Sequence, residues 1–329
     1  MKRILAVVLA AILVLSLGSM AFAEETYDMA PRQITDHTLK VALIPVTINT
    51  SYTMTINGAK KYIEDQGYDM ELIVEAPSGN TSSIEEQGNI IERMILQGVD
   101  AIALATESDA SMLPYLRQAE KAGIPLFLFN MSEIDPSNVY YVTSIGYDQY
   151  QAGYDIGAWV AAKYDTDTKV AVLEGYPGIV NDQRMQGFKD AIANNEKVQI
   201  VASQCANWTR ADGQTVTESI LISNPDINVL YGPYDEMVLG GMVALRERGL
   251  SSKVDVVGFG ATEDGINAIK NGDMAATIDV MEYYTGYDII EAIQDYCVEG
   301  KEVEKVINRD CVVYDAENVN DHDDTVFVH

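Results

Sequence analysis

From Lys40 to Ala316, short apolar runs alternate with longer stretches in which apolar residues recur every three or four positions. The runs are Lys40–Thr47, Glu71–Ala76, Ala101–Ala105, Ile124–Asn130, Val139–Ile145, Lys169–Gly175, Gln199–Gln204, Asn228–Pro233, Val254–Gly260, Met274–Val280 and Cys311–Ala316. Several are apolar at successive positions, so neither face tolerates water, as in parallel strands covered by helices on both sides. Between them, Met185, Phe188 and Ile192 make a helix stripe, as do Met237, Gly241, Ala244 and Leu245, and Gly286, Ile290, Ile293 and Cys297. Gly123-Ile124-Pro125 and Arg248-Gly249-Leu250 stop helices before the next strand. Strand–helix alternation predicts parallel sheets with right-handed crossovers, and eleven strands are better accommodated in two doubly wound α/β lobes than in one sheet. Residues 24–38 read as a loose lead, and Asp321 to Asp324 as a solvated acidic tail.

The first 23 residues have a different pattern. Lys2 and Arg3 precede an apolar run from Ile4 to Leu17, and Ala21-Phe22-Ala23 gives a small-x-small peptidase site before Glu24. The run is shorter than the roughly 18–20 residues of a spanning helix. It predicts an export signal at 1–23 cleaved after Ala23, with no Cys positioned for a lipid anchor, and hence a periplasmic protein. Removing the signal leaves 20 Lys and Arg against 50 Asp and Glu, a formal net charge of −30. Such a surface repels nucleic acid and anionic lipid.

Three cysteines lie beyond the signal, Cys205, Cys297 and Cys311, and none has metal-site spacing. In an oxidising compartment an odd count leaves at least one thiol unpaired; if a bridge forms, Cys297 with Cys311 is the pair, and the plainer reading is buried free thiols. The only histidines are His37, His322 and His329, so a histidine-based triad or a two-histidine metal site has almost no material. Gly258-Phe259-Gly260 begins like a dinucleotide fingerprint, but Glu263 stands in place of its third glycine and would face a pyrophosphate with like charge. No cofactor or metal is expected.

In open parallel sheets ligands bind beyond the carboxyl ends of strands. The residues there are rich in amides and aromatics: Asn49 and Tyr52, Asn130 and Met131, Tyr176, Asp182 and Arg184, Trp208 and Arg210, Tyr234 and Asp235, Glu282, Tyr283 and Tyr284. Flat aromatic faces pack on the C–H faces of a sugar ring, while amides and a guanidinium satisfy its hydroxyls. Duller roles are open for several: Asp148 and Asp235 as helix N-caps, Trp208 as a core residue, Arg184 as a surface ion-pair partner.

Collinear segments from 39 to 316 then sharpen this picture. They are Val41-Ala42-Leu43-Ile44 through Asn49 and Tyr52 to Gly58-Ala59, Ala122-Gly123-Ile124-Pro125, Asn181 to Phe188, Tyr234 to Gly240, Val256-Val257-Gly258-Phe259, and Gly272 to Ile278. In these the chain resembles the type I periplasmic solute-binding proteins, in the ribose-binding branch that shares its fold with the sugar-sensing domains of lactose-repressor-like regulators. The resemblance implies two Rossmann-like lobes joined by three hinge strands, residues 39–146 plus 281–308 forming one and 147–280 plus 309–329 the other. It also implies that the lobes close over one small ligand and deliver it to an ABC permease in the membrane, the binding protein being a monomer.

By the resemblance, Asn49 falls on the amide after the first strand, Tyr52 on a stacking aromatic, Arg184 on the arginine of the R-x-x-G-F segment and Trp208 on the aromatic of the second lobe. The departures are Asn130-Met131 in place of an Asp-Arg pair, Tyr234 in place of an amide, Gly260 in place of an acid and Val280 near a glutamine. Fewer hydroxyl-directed bonds point away from ribose, because an unpaired buried hydroxyl costs roughly 1–3 kcal/mol. Expected ligands are a deoxy or modified sugar, a polyol, a nucleoside or a cyclic signal such as autoinducer-2. Two other roles stay open: a sensing subunit for a chemoreceptor or histidine kinase, and an exported enzyme on the same scaffold, against which the scarcity of histidine argues.

Overall fold

The computed structural model describes residues 29–78, 83–106, 108–130, 135 and 137–327, so the expected export signal, Met131 and His329 lie outside the described residues. Two six-stranded sheets form the framework. The first holds β1 (Leu39–Ile44), β2 (Met70–Val74), β3 (Ala101–Leu104), β4 (Leu126–Phe129), β5 (Thr143–Gly146) and β11 (Val306–Asn308), ordered β11-β5-β4-β3-β1-β2 with every pair parallel. The second holds β6 (Thr168–Glu174), β7 (Val198–Cys205), β8 (Val229–Tyr231), β9 (Asp255–Val257), β10 (Ala276–Asp279) and β12 (Val312–Asp315), ordered β12-β10-β9-β8-β6-β7. Only the β10–β12 pair is antiparallel, because β12 enters the second sheet by a short link from β11 in the first.

Among the described residues nine α-helices pack on the sheets: α1 (Thr50–Gln66), α2 (Ile84–Gln97), α3 (Asp109–Lys121), α4 (Gln149–Lys163), α5 (Ile179–Ile192), α6 (Arg210–Ser223), α7 (Asp235–Glu247), α8 (Glu263–Lys270) and α9 (Glu282–Cys297). Strand alternation feeds two cores per sheet. In β1, Val41 and Leu43 pack with Ile289 and Ile293 of α9, whereas Ala42 and Ile44 pack with Ile90 and Met94 of α2. In β6, Val170 and Val172 meet Met185 and Phe188 of α5, whereas Ala171 and Leu173 meet Met237 and Val238 of α7. That double coverage is why these strands carry no polar face.

Three helix pairs pack backbone to backbone through reciprocal glycines. A Cβ at Gly153 of α4 would lie 2.1 Å from the Arg184 carbonyl oxygen, and one at Gly187 of α5 would lie 2.0 Å from that of Tyr150. Gly58 of α1 and Gly286 of α9 would meet the carbonyls of Tyr283 and Thr55 at 1.9 and 2.1 Å, and Gly213 of α6 and Gly240 of α7 those of Met237 and Arg210 at 2.1 and 1.9 Å. No side chain larger than hydrogen fits at such contacts.

The chain passes between sheets three times, at β5 to α4, β10 to α9 and β11 to β12. At the third crossing, Arg309 donates its backbone N–H to Gly146 (2.9 Å) and its guanidinium to both oxygens of buried Asp288 on α9, at 2.6 and 2.7 Å. At the second, Asp279 accepts from the Met281 N–H at 2.7 Å, and Met281 takes the left-handed φ of 59° that turns the chain into α9. Burial pushes the Asp279 carboxyl up to about 6, against the opposing pull of His322, whose Nε2 lies 3.7 Å away.

The acidic tail is not simply solvated. Asp321, Asp323 and Asp324 are exposed, but His322 between them is buried, stacked on Phe327 and edge-on to Tyr314. Val326 packs with Met54 of α1 and Tyr283 of α9, and Tyr284 donates to Asp323 at 2.8 Å, so the tail straps both lobes. The lead is likewise fixed where described, with Arg32 and Ile34 N–H groups on the carbonyls of Tyr296 and Cys297 (2.7 and 2.9 Å). Cys297 and Cys311 are not bridged, in keeping with the plainer reading: all three cysteines are free, Cys297 lying in the first-lobe core and Cys311 against the second. Burial pushes both of those thiols up to about 12.

Two outcomes are expected of this packing. Gly187→Ala should lower the stability of the protein by about 1–3 kcal/mol through overpacking against α4, measured by denaturant melts, whereas Gly178→Ala, where an added Cβ meets nothing within 4 Å, should change little. The raised Asp279 carboxyl means that the native chain holds its proton between its ordinary 3.8 and about 6, so its contribution is most favourable below that window and is lost as pH rises through it. Asp279→Asn should therefore gain stability over wild type, on the order of 2 kcal/mol, between pH 4 and pH 7.

Candidate ligand-binding site

A cavity of about 310 Å³ lies between the two sheets. Its lining comes from the segments just past strand ends: Val46 to Tyr52 after β1, Asn130 after β4, Gln149 after β5, Tyr176, Val180 and Arg184 after β6, Trp208 to Arg210 after β7, Tyr234 and Glu236 after β8, and Glu282 after β10. The walls touch at one rim, where Thr50 at the start of α1 donates to Glu236 of α7 at 3.3 Å.

The first-lobe wall is anchored by Asn49, the N-cap of α1, whose Oδ1 accepts from the Tyr52 N–H at 2.9 Å. Capping commits that oxygen and leaves the amide's N–H donors for other partners. The Tyr52 ring stands edge-on to buried Phe129, with centroids 6.2 Å apart and planes at 82°. Asn130 has a left-handed φ of 51°, its N–H bonded to Ile145 (2.9 Å) and its side-chain amide donating to Glu282 at 2.6 Å.

On the facing wall, Arg184 is held by three neutral partners. Its Nε donates to Gln149 (2.7 Å), one terminal nitrogen to the Pro233 carbonyl (2.7 Å) and the other to the Tyr147 hydroxyl. Its guanidinium lies 4.1 Å from the Phe259 ring centroid and 5.7 Å from that of Trp208. Five N–H donors less these three bonds leave two for a ligand. Burial raises the Tyr147 phenol's pKa well beyond the ordinary tyrosine range, so it stays a neutral acceptor for Arg184.

Trp208 is both packed and exposed to the cavity. Asn207 and Trp208 take successive left-handed φ values of 51° and 60°, an arrangement rare for bulky side chains that turns the chain from β7 into α6. The indole rests on the second-lobe core and against Gly175, where a Cβ would come within 2.0 Å of it. Tyr176 and Tyr234 meet its ring edge-on, at 6.1 and 6.3 Å between centroids.

Charges in the lining balance, with Arg184 and Arg210 against Glu236 and Glu282. Arg210 grips Glu236 through two nitrogens at 2.8 and 3.0 Å and reaches Asp264 at 2.7 Å, forming a rim network. Glu282 is buried and accepts from Ser51 (2.8 Å), Thr55 (3.0 Å) and Asn130.

Of the positions expected from sequence, Asn49, Tyr52, Asn130, Arg184, Trp208 and Tyr234 come together here, while Gly260 and Val280 do not. Val280 continues the face of β10 that carries Ala276 and Ile278 and is buried with them under α4 and α5. Gly260, at a φ of 114°, is buried beside Tyr234, its N–H bonded to Ile278 at 2.8 Å. Asp148 is the N-cap of α4, as read, but Asp235 is not a cap. Fully buried, it accepts from the Phe259 N–H (2.8 Å), the Thr262 N–H (2.8 Å) and hydroxyl (3.1 Å), and Thr277 (2.7 Å), fixing the ends of β8 to β10 relative to one another. Gln149 and Glu236 were not expected in the lining, and Glu282 stood only among the residues past strand ends, though all three obey the same rule.

The described residues contain no group of three or more His, Cys, Asp and Glu placed to hold a metal ion. A family model described as a periplasmic binding protein domain matches residues 41–302. The chain is 28% identical to the ribose import binding protein RbsB of Haemophilus influenzae over 316 residues, covering 95% of this chain and 99% of that one. It is 30% identical to the RbsB of Bacillus subtilis over 270 residues, covering 82% and 84%. Among solved structures, an ABC transporter periplasmic solute binding protein of Actinobacillus succinogenes with bound D-allose superposes with a TM-score of 0.78 at 29% identity, covering 86% of this chain and all of that one (100%). A Bacillus halodurans solute binding protein with bound myo-inositol shares the fold at a TM-score of 0.79 and 22% identity. With two parallel-sheet lobes, a cleft lined from strand ends and a family model spanning most of its length, the chain belongs to the periplasmic binding protein family.

Proposed function

We propose that this protein is the extracytoplasmic substrate-binding component of an ABC importer and takes a sugar or sugar-like neutral ligand in the cleft between its lobes. The observation that carries the reading is the pairing of aromatic faces, Tyr52 on one wall and Trp208 on the other, with the two remaining N–H donors of Arg184. A ring between those faces is held by its C–H surfaces, and its oxygens accept from the guanidinium. The balanced charges of the lining favour an uncharged ligand over a sugar acid or phosphate. Size supports a single ring with substituents: an apolar cavity of about 150 Å³ takes one benzene, and this one is about 310 Å³. Relatives named for ribose, and a neighbour holding D-allose, point to the same class.

In this reading the units 39–146 plus 281–308 and 147–280 plus 309–329 rotate about the three crossings, and ligand binds the closed arrangement most tightly. The signal is removed after Ala23, and the mature protein works as a periplasmic monomer that docks on its permease. It carries out no chemistry on the ligand.

A thermal-shift screen over pentoses, hexoses, polyols and nucleosides tests this. A true ligand at 100 times its Kd should add about 2.7 kcal/mol to stability, and a flat response across the set would contradict the proposal. Arg184→Ala should abolish the response. It should also lower ligand-free stability by roughly 1–2 kcal/mol, since Gln149, the Pro233 carbonyl and Tyr147 each lose a donor.

A further inference from the structure

Among the four charged residues of the cavity lining, only Glu282 is buried, at 2% exposure. Its three hydrogen-bond partners, Ser51, Thr55 and Asn130, are all neutral, so its charge is solvated by dipoles but not cancelled. It is the first residue of α9, where the unpaired N–H groups of a helix favour an anion, and the left-handed Met281 before it turns the chain into that helix. Two of the donors come from the first turns of α1, brought close by the Gly58–Gly286 contact that seats α9 against α1. A carboxylate offers about four acceptor positions. Oε2 uses two, for Thr55 and Asn130, and Oε1 uses one, for Ser51, which leaves one acceptor on an oxygen of a cavity-lining side chain.

We propose that Glu282 is a specificity-determining residue that receives a hydroxyl of the ligand and so selects a ring hydroxylated at its hinge-facing end over the corresponding deoxy compound. The inference rests on the sugar-binding reading above and reverses one expectation drawn from the sequence. Asn130-Met131 in place of a charged pair argued for a less hydroxylated ligand. In the structure the Asn130 amide is instead committed to Glu282, and the missing carboxylate reaches the cavity from α9, a different element. A charged acceptor discriminates strongly between hydroxyl and hydrogen, because the deoxy compound leaves that acceptor without water or partner.

The test is isothermal titration of wild type and Glu282→Gln with D-ribose, D-allose, D-galactose, myo-inositol and the monodeoxy analogue of each at every ring position. For the tightest-binding compound, removal of one particular hydroxyl should weaken wild type about 100-fold and the variant only about tenfold, the ratio expected when a charged acceptor becomes a neutral one. Loss at the other positions should be alike in both proteins. If no single position shows a smaller loss in the variant, or if wild type binds a deoxy analogue as tightly as its parent at every position, the role of Glu282 is refuted while the sugar-binding reading stands. If wild type binds none of the set, both fall. Should Glu282→Gln fail to fold, Glu282→Asp keeps the charge but withdraws it by one methylene, and the same position-specific narrowing is expected.

Discussion

Everything in the cleft depends on how closely three pairs of helices approach. Reciprocal glycines bring α4 to α5, α6 to α7 and α1 to α9 at carbonyl-to-Cα distance, and the residues at those contacts are site residues or their neighbours: Arg184, Arg210, Thr55 and Tyr283. The contact thus fixes backbone position at the place where a side chain must meet a ligand. A one-methyl enlargement at any of the six glycines would move a wall of the cavity as well as loosen a core. The Gly187 in the R-x-x-G-F segment is explained in this way, since it is what lets the backbone of α5 sit on α4 and aim Arg184 at Gln149 and Tyr147.

The polar groups around the cavity divide into those that hold the frame and those that still have something to offer. Asp235 is consumed by two backbone N–H groups and two threonine hydroxyls, the Oδ1 of Asn49 by a backbone N–H, and Arg210 with Glu236 and Asp264 forms a rim network exposed enough that its energetic contribution is modest. Arg184 and Glu282 differ from these. Each is fixed by neutral partners, and each retains unused hydrogen-bonding capacity, one as donor and one as acceptor. A cleft built from a preorganised donor on one wall and a preorganised acceptor beside the hinge suits a polyhydroxylated ring, whose hydroxyls do both.

Much of this architecture was legible in the sequence because covered parallel strands have a distinctive composition. Each of the eleven apolar runs overlaps a strand, and the stripes through Met185, Met237 and Gly286 face the expected cores. The remaining strand, β11 (Val306–Asn308), leaves no such mark, because three residues between Lys305 and Arg309, none of them fully buried, carry no periodic signal. Arg184, Trp208, Tyr52 and Asn49 stand just past strand ends, where parallel sheets place their ligands, and were legible for that reason. Gly260 and Val280 were placed by resemblance alone, and strand alternation overrules it at Val280, whose face is buried. Glu282 was harder to single out, since a lone glutamate among 50 acidic residues says nothing until three donors converge on it. The strap at the C-terminus is opaque in the sequence for a similar reason: its aspartates are indeed solvated, and the residues that pack, His322, Val326 and Phe327, are too few to make a pattern.

The central claim is that one small polar ring is enclosed between the lobes, and a crystal structure of the protein with its tightest ligand from the sugar and polyol screen tests it most directly. The account predicts the ring between Tyr52 and Trp208, with oxygens within hydrogen-bond distance of the Arg184 guanidinium and a hydroxyl on Glu282 Oε1. A ligand bound elsewhere on the surface, or one in the cleft that leaves Arg184 untouched, would contradict it.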